Sequence, residues 1–193
     1  MQEFIDVIIN NLVIFLANFG VLAGVLIILL ESILPILPLA FFIALNIFTF
    51  GNVLGFLISY FATCLGCILS FILFRYFFSN KLEAYIQKRH SKKLDILLKR
   101  INNFKFSELT ILIALPFSPA FLINIAAGLS KMSFKKFLSS ILIGKTCIIY
   151  FWGYVGKSLL ESITDLDTII KVSLMLVFAY LVSKLLEKKI KIE

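Results

Sequence analysis

Charged residues are scarce in this 193-residue chain: they make up 16% of it, whereas a soluble domain carries about 25%. Apolar residues make up 61%, and the mean hydropathy is +1.03. Three stretches, residues 7–30, 32–74 and 109–130, contain no Asp, Glu, Lys or Arg at all. About 20 consecutive apolar residues suffice to cross a bilayer as a helix. These absences exclude a soluble enzyme and predict an all-α polytopic membrane protein.

Histidine and cysteine are also rare. The chain has one His, His90, and three Cys, all of them within apolar stretches. Cys64 and Cys67 form a C-x-x-C pair, but because neither a second pair nor a nearby His accompanies it, we interpret them as small packing residues of a helix. No nucleophile–base pair and no glycine-rich phosphate loop is present in the sequence. We therefore expect no metal, no cofactor and no enzymatic activity.

Basic residues are concentrated between the apolar stretches, and they give the chain a net charge of +8. Nine of the 19 lie in residues 75–105, and most of the others follow the later apolar stretches. This is the distribution of cytoplasmic loops, which attract anionic lipid headgroups, and it argues against nucleic acid as a partner. We expect residues 79–106 to form an amphipathic cytoplasmic segment on the membrane surface. The N-terminus is then cytoplasmic, and a bacterial inner membrane is the simplest location.

Proline occurs only four times, in two Pro-x-x-Pro pairs: Pro35 with Pro38, and Pro116 with Pro119. A shift of 81 residues superimposes the two pairs as a weak internal repeat. Prolines break helices, and broken backbone persists at membrane depth only where protein or water surrounds it. Paired broken segments in two corresponding halves are typical of inverted-repeat transporters with a midplane site. We therefore predict two inverted re-entrant hairpins among about four transmembrane helices.

The pattern predicts a single membrane domain over residues 1–193. A first complete span ends near residue 30, before the first broken segment. A long helix follows the first hairpin and ends at residue 74. A later span over residues 134–156 is interrupted at Gly144 and Lys145, and a last transmembrane helix covers residues 168–186.

Residues 20–156 together resemble the DedA superfamily domain, also called the SNARE-associated or VTT domain. The residues that carry the resemblance are Glu31, Pro35, Pro38, Gly51, Gly55, Gly66, Phe71, Arg75, Pro116, Pro119, Asn124, Gly128, Phe137, Gly144, Tyr154 and Gly156. The spacing Pro116-x-x-Pro119-x4-Asn124-x3-Gly128 is similar to the branch of the superfamily with two prolines and an asparagine before the glycine.

The resemblance implies that the chain translocates a membrane lipid. The superfamily includes bacterial transporters of undecaprenyl phosphate and eukaryotic phospholipid scramblases, and proton coupling through membrane carboxylates is associated with its bacterial members. Typical members carry arginine about three residues before the first proline of the second hairpin, where this chain has Ile113. Because an arginine fork is the natural clamp for a phosphate, this departure weighs against polyprenyl phosphate as the substrate, but not against lipids in general. Protons and a second copy of the chain are further candidate partners.

Four polar residues are candidates for the transport site. Glu31 is a candidate proton carrier, because acidic residues inside membranes are usually functional; the alternative is a helix cap. Lys145 is a candidate to hold a phosphate or to pair with Glu31, and snorkelling to the surface is the alternative. Arg75 and Asn124 are further candidates to bind the headgroup. The alternative for Arg75 is an anchor that fixes the topology. The alternative for Asn124 is a hydrogen-bonding partner for broken backbone. The four prolines and Gly128 are expected to shape the hairpins.

Two other functional classes remain open at this point. A small-solute or ion transporter of the same architecture predicts flux of a water-soluble substrate and no lipid movement. A non-transporting membrane scaffold, whose basic segment recruits a partner, predicts that Glu31→Gln is silent while charge reversal in that segment is not.

Overall fold

The computed structural model describes residues 2–33, 39–78, 100–118, 120–130, 132–161 and 165–190. The helices bounded within these residues are α1 (Gln2–Ile33), α2 (Leu39–Phe50), α3 (Asn52–Leu73), α4 (Phe106–Ala114), α5 (Ala120–Leu129), α6 (Phe134–Glu161) and α7 (Leu166–Ile190). A π-helical turn, Phe74–Phe78, extends α3. No β-strand occurs among the described residues.

Three segments in the described part of the chain are long and apolar enough to cross a membrane: Asn52–Phe78, Phe134–Leu159 and Leu166–Ile190. Two shorter apolar helices, Asn18–Ser32 and Leu39–Phe50, accompany them. The prediction of an all-α polytopic membrane protein is confirmed. Most of the predicted amphipathic segment 79–106, together with Pro35, Pro38 and Pro119, lies outside the described residues.

α1 differs from the complete span that the sequence predicts. The helix is broken at Gly20, whose φ of 65° lies in the left-handed region that glycine adopts without strain. Beyond this point residues 21–33 pack against α2, and the Asn46 amide donates to the Gly24 carbonyl (3.4 Å) and to the Ser59 hydroxyl (3.3 Å). Residues 21–33 are therefore one arm of a hairpin and α2 is the other; we call residues 21–33 and 39–50 together hairpin 1.

α4 and α5 form the second helix–turn–helix unit, which we call hairpin 2; it comprises residues 106–118 and 120–129. Its arms have 9 and 10 residues, so each is about 15 Å long, or half the thickness of the hydrocarbon core. Pro116 lies in the turn that follows α4. The 81-residue shift that superimposes the prolines also superimposes the last residue of α1, Ile33, on the last residue of α4, Ala114, and the first residue of α2 on that of α5.

The two long helices α3 and α6 run antiparallel. Near the end of α3 the Phe71 ring stacks on Phe137 at 4.4 Å, close to the start of α6. At the other end Lys157 Nζ donates to Asn52 Oδ1 (2.8 Å), which joins the end of α6 to the start of α3. Since each hairpin directly precedes its long helix, the two hairpins enter the molecule from opposite ends. The halves are thus related by inversion.

Glycines bring each hairpin close to both long helices. A Cβ at Gly66 of α3 would meet Ser32 of hairpin 1, and one at Gly144 of α6 would meet Ile113 of hairpin 2. The second arms cross to the other half, since Gly156 of α6 lies against α2 and Gly128 of α5 lies against α3. This close packing without side chains is typical of helix contacts in membranes. Contrary to expectation, α6 continues through Gly144 and Lys145 without interruption.

The last helix, α7, is packed more loosely than the others. It begins after Asp165, whose carboxylate accepts from the Thr168 hydroxyl (2.7 Å) and backbone N–H (3.2 Å). These hydrogen bonds lower the pKa of the Asp165 carboxyl group. Only 11% of the apolar window of α7 is buried within the chain, so most of this helix is left to face lipid.

Gly55→Ala is expected to lower the stability of the protein. The added Cβ would overlap the backbone of α2 at Asn46 and Ile47, and a backbone cannot rotate away as a side chain can. Overpacking of this kind costs about 1–3 kcal/mol. Thermal unfolding in detergent measures the loss, with Leu54→Ala, at an exposed position on the same helix, as the control. A Gly55→Ala protein with the same melting temperature as the wild type would contradict the close approach of α2 to α3.

Candidate functional site

The arms of the two hairpins approach one another at a cavity of about 480 Å³, which we call the central cavity. Both hairpins and both long helices supply its wall. The lining residues are Glu31, Ser32, Leu39, Ala40, Cys67, Pro116, Ser118, Phe121, Leu122, Asn124, Lys145, Ile148 and Trp152. Most of them are apolar, so the few polar groups stand out.

The cavity lies near the middle of the long helices. Lys145 is eleven residues beyond the start of α6 at Phe134, which places it about 17 Å along the helix axis. A helix that spans the bilayer crosses a hydrocarbon core of about 30 Å, so this residue lies near half depth. The turn of hairpin 2 reaches the same level, because Pro116 and Lys145 line one cavity. A midplane site between broken helices is the arrangement found in inverted-repeat transporters.

Lys145 is buried in the wall of this cavity. Only 2% of the residue is exposed, so its side chain does not snorkel to the membrane surface. Within the described part of the chain no hydrogen bond or ion pair holds its ammonium group. A buried cation without a partner is costly, and it is retained where a ligand or a change of state supplies the missing charge.

Glu31 and Ser32 lie at the tip of the first arm of hairpin 1. Glu31 is partly exposed to the cavity, and its charge interacts with that of Lys145. The Ser32 hydroxyl is buried and has no hydrogen-bonding partner among the described residues. The cavity therefore holds one cation, one carboxyl group and one unpaired hydroxyl, a set that fits a small polar headgroup rather than a metal ion.

Asn124 lines the cavity from α5. It is 3% exposed, and its amide donates to the Sγ of Cys67 on α3 at 3.2 Å. This contact ties hairpin 2 to α3 at the depth of the cavity. Asn124 thus shapes the cavity wall, and Cys67, expected only as a packing residue, contributes to the same wall.

Arg75 lies away from the cavity, at the end where α3 finishes. Its Nε donates to the Gly128 carbonyl (2.7 Å), and its Nη2 donates to the carbonyls of Ala127 (3.2 Å), Ser130 (2.8 Å) and Met132 (2.8 Å). The carbonyls of Ala127 and Gly128 belong to the last turn of α5, and those of Ser130 and Met132 follow the helix. The guanidinium group is therefore engaged in closing hairpin 2, and Arg75 does not line the cavity proposed for the headgroup.

Ser32 and Trp152 are among the cavity residues that were not recognised from the sequence. Ser32 follows Glu31 directly in the sequence, and this position beside a carboxyl group in an apolar stretch could have indicated that Ser32 lines the site. Trp152 lines the cavity, and the centroid of its ring lies 5.8 Å from that of Phe117. Trp152 is seven residues beyond Lys145, hence on the same face of α6, and this spacing could have revealed it.

Comparison with known proteins agrees with this architecture. The VTT domain profile matches residues 34–158, which include α2 to α5 and most of α6. The chain is 33% identical over 168 residues to the uncharacterized membrane protein YhjE of Bacillus subtilis (strain 168), across 86% of this chain and 80% of that protein. It is 32% identical over 133 residues to the uncharacterized protein YqeD of the same organism, across 66% of this chain and 60% of that protein. No solved structure matches the chain.

Proposed function

The chain belongs to the VTT-domain family, also called the DedA family, and on that premise we propose that it transports a membrane lipid. The family is generally linked to membrane transport rather than to enzymatic activity. In our proposal a lipid headgroup crosses the membrane through the cavity between the hairpin tips. The lipid is one whose headgroup carries a phosphate, either a phospholipid or a polyprenyl phosphate.

The observation that carries this proposal is a buried lysine at half depth in an apolar cavity, with no hydrogen bond to its ammonium group among the described residues. Lys145 supplies the charge that a phosphate needs, while neighbours such as Ile148 and Phe121 supply an apolar wall. Leu122 lines the cavity yet is 58% exposed, so the cavity is open at the side of the molecule. A lipid whose headgroup enters this opening keeps its acyl chains in the bilayer. A water-soluble anion has no acyl chains and does not require an opening towards the bilayer.

Glu31 gives the site a means of coupling to protons. When Glu31 is ionised, its negative charge attracts Lys145 and competes with a phosphate for the same cation. When Glu31 takes up a proton, this competition ends and the Lys145 ammonium group can bind the phosphate of the headgroup. Proton uptake and headgroup binding therefore favour one another in our proposal, and a lipid moves in the same direction as a proton.

Glu31→Gln is expected to abolish the dependence of lipid transport on a pH gradient. Glutamine resembles the protonated carboxyl group, so the variant binds the headgroup at any pH but cannot use the gradient. The measurement follows labelled undecaprenyl phosphate and a labelled phospholipid in proteoliposomes, with and without a pH gradient. Asp167→Asn, at an exposed position in the first turn of α7, is the matched control and is expected to behave as wild type.

Other outcomes of this experiment assign other functions. Movement of both lipids without a gradient, unchanged in Glu31→Gln, identifies a scramblase and refutes proton coupling. No movement of either lipid by folded protein, with flux of a water-soluble anion instead, refutes the lipid substrate. A silent Glu31→Gln, together with loss of cellular function on charge reversal in residues 79–106, identifies a membrane scaffold.

A further inference from the structure

Three aromatic rings connect the wall of the central cavity to the last helix, α7. Trp152 lines the cavity from α6. The Phe117 ring, in the turn of hairpin 2, lies edge-on to the Trp152 ring, with the two centroids 5.8 Å apart. Phe117 also lies edge-on to the ring of Tyr180 on α7, at a centroid distance of 5.7 Å. Phe117 therefore joins the cavity wall to α7, and we call the three residues the aromatic cluster.

The turn of hairpin 2 keeps Phe117 outside the central cavity. Its two neighbours, Pro116 and Ser118, line the cavity, whereas Phe117 does not and is 40% exposed. The Ser118 hydroxyl donates to the Leu112 carbonyl, which fixes the turn on the end of α4. The Phe117 ring thus covers the turn and the adjacent Trp152 from the side on which α7 lies.

The aromatic cluster and the open side of the cavity at Leu122 face different halves of the membrane. Trp152 is eighteen residues beyond the start of α6, so it lies about 27 Å along the helix, past Lys145 in the direction in which α6 ends. Leu122 is near the start of α5, which runs back towards the start of α6, because Gly128 lies against the end of α3. The open side therefore faces one leaflet, and the side that the cluster covers faces the other.

α7 is held weakly at the aromatic cluster. Only 11% of its apolar window is buried within the chain. Ser183, three residues beyond Tyr180 and on the same face, is buried, yet its hydroxyl has no hydrogen-bonding partner in the described part of the chain. A buried hydroxyl without a partner lowers the stability of the docked position of α7, and edge-on ring pairs add only a modest attraction. The contact between Tyr180 and Phe117 can therefore separate without unfolding the protein.

We propose that Tyr180 and Phe117 form a gate, closed in this structure, between the central cavity and the leaflet at the end of α6. When α7 moves away from Phe117, the Trp152 side of the cavity opens to acyl chains. A headgroup that entered beside Leu122 then leaves into the other leaflet. The use of the gate rests on the proposed lipid transport, but its opening is measured without transport, so either proposal can fail without the other.

Trp152 is the sole tryptophan of the chain, so intrinsic fluorescence reports on this side of the cavity. The purified protein is placed in vesicles of phosphatidylcholine with bromine atoms on its acyl chains, which quench tryptophan on contact. Tyr180→Ala is expected to shift the gate towards the open state about 2- to 10-fold, the effect of losing one ring pair, and so to increase quenching. Tyr180→Phe keeps the ring, and Phe178→Ala removes a ring that is 69% exposed on α7. Both are expected to behave as wild type.

Cross-linking α7 to hairpin 2 tests the gate in its closed state. Phe117→Cys and Tyr180→Cys are combined with Cys147→Ser, which removes the exposed native cysteine. A short bis-maleimide that a reductant cleaves then joins the pair. The joined protein is expected to lose transport of a phosphate-bearing lipid and to show less quenching of Trp152 than before joining. Cleavage is expected to restore both.

The outcomes separate the gate from the transport proposal. Wild-type quenching in Tyr180→Ala, or an equal rise in Phe178→Ala, overturns the gate, and so does full transport by the cross-linked protein. If Tyr180→Ala does not fold, the quenching of the cross-linked protein decides, and no change on cross-linking overturns the gate. If the wild type moves no lipid, the transport proposal fails, while the quenching of Trp152 still decides whether the gate opens.

Discussion

Replacing Lys145 with glutamine is expected to lower lipid transport by about 10- to 150-fold, the effect of losing a charged hydrogen bond worth about 1.5–3 kcal/mol. Lys145 is the one described basic residue in the wall of the central cavity, so no other described side chain there can take over its charge. The protein itself is expected to remain as stable as the wild type or to gain stability, since the variant no longer buries a cation that lacks a hydrogen bond among the described residues.

The measurement compares initial rates of transport of a phosphate-bearing lipid in proteoliposomes with melting temperatures of the same preparations. Lys135→Gln removes an exposed lysine from the same helix, ten residues away, and is expected to transport at the wild-type rate. Lys145→Arg keeps the charge and is expected to retain much more activity than Lys145→Gln. Equal transport by Lys145→Gln and wild type would refute a role for this lysine in holding the headgroup.

The hairpins could be predicted from the sequence because their cause is local. Pro116 has no N–H to donate to the preceding turn, whatever surrounds it, so the position of the break follows from the residue itself. The matching Pro-x-x-Pro spacing then indicated the repeat, and the 81-residue shift reproduces the ends of α1 and α4. Glu31 lies near the end of α1, and in the sequence it stands four residues before Pro35 of the first proline pair.

The break at Gly20 could not be predicted in the same way. A lone glycine in an apolar stretch fits a continuous helix, and with Gly24 it suggests a close helix contact instead. Its positive φ follows from the docking of residues 21–33 against α2, which is a tertiary contact. The first predicted span therefore extended through a residue at which the chain in fact changes direction.

The surroundings of Lys145 and Arg75 likewise depend on tertiary packing. The ammonium group of a lysine within an apolar stretch can extend to the membrane surface or remain buried in the protein. For Lys145 the outcome depends on the packing of α2, α4 and α5 around α6, which buries the residue. Arg75 ends an apolar stretch, as a topology anchor would. Its four carbonyl acceptors come from residues more than 50 positions later in the sequence, which no local pattern indicates.

Arg75→Gln is expected to destabilise the protein by about 2–4 kcal/mol, the largest stability loss among the substitutions considered. Hydrogen bonds from a charged donor contribute about 1.5–3 kcal/mol each, and water at this partly exposed end replaces part of what is lost. The Ala127 carbonyl keeps its hydrogen bond from the Ser130 hydroxyl, but the Gly128, Ser130 and Met132 carbonyls lose the donor that Arg75 supplies. Because Arg75 also lies over the Phe71 ring at 4.6 Å, the packing of α3 on hairpin 2 is weakened as well.

Thermal unfolding and hydrogen exchange together test this role of Arg75. The melting temperature is expected to fall, and the amides of α5 are expected to exchange faster, because the arm of hairpin 2 that Arg75 holds opens first. Lys136→Gln is the control for loss of a weaker interaction. Lys136 Nζ donates to the Asn102 carbonyl at the long distance of 3.4 Å, so this variant is expected to lower the melting temperature far less than Arg75→Gln. An Arg75→Gln protein with wild-type stability but no lipid transport would show that Arg75 acts on the lipid, and would refute its assignment as the closure of hairpin 2.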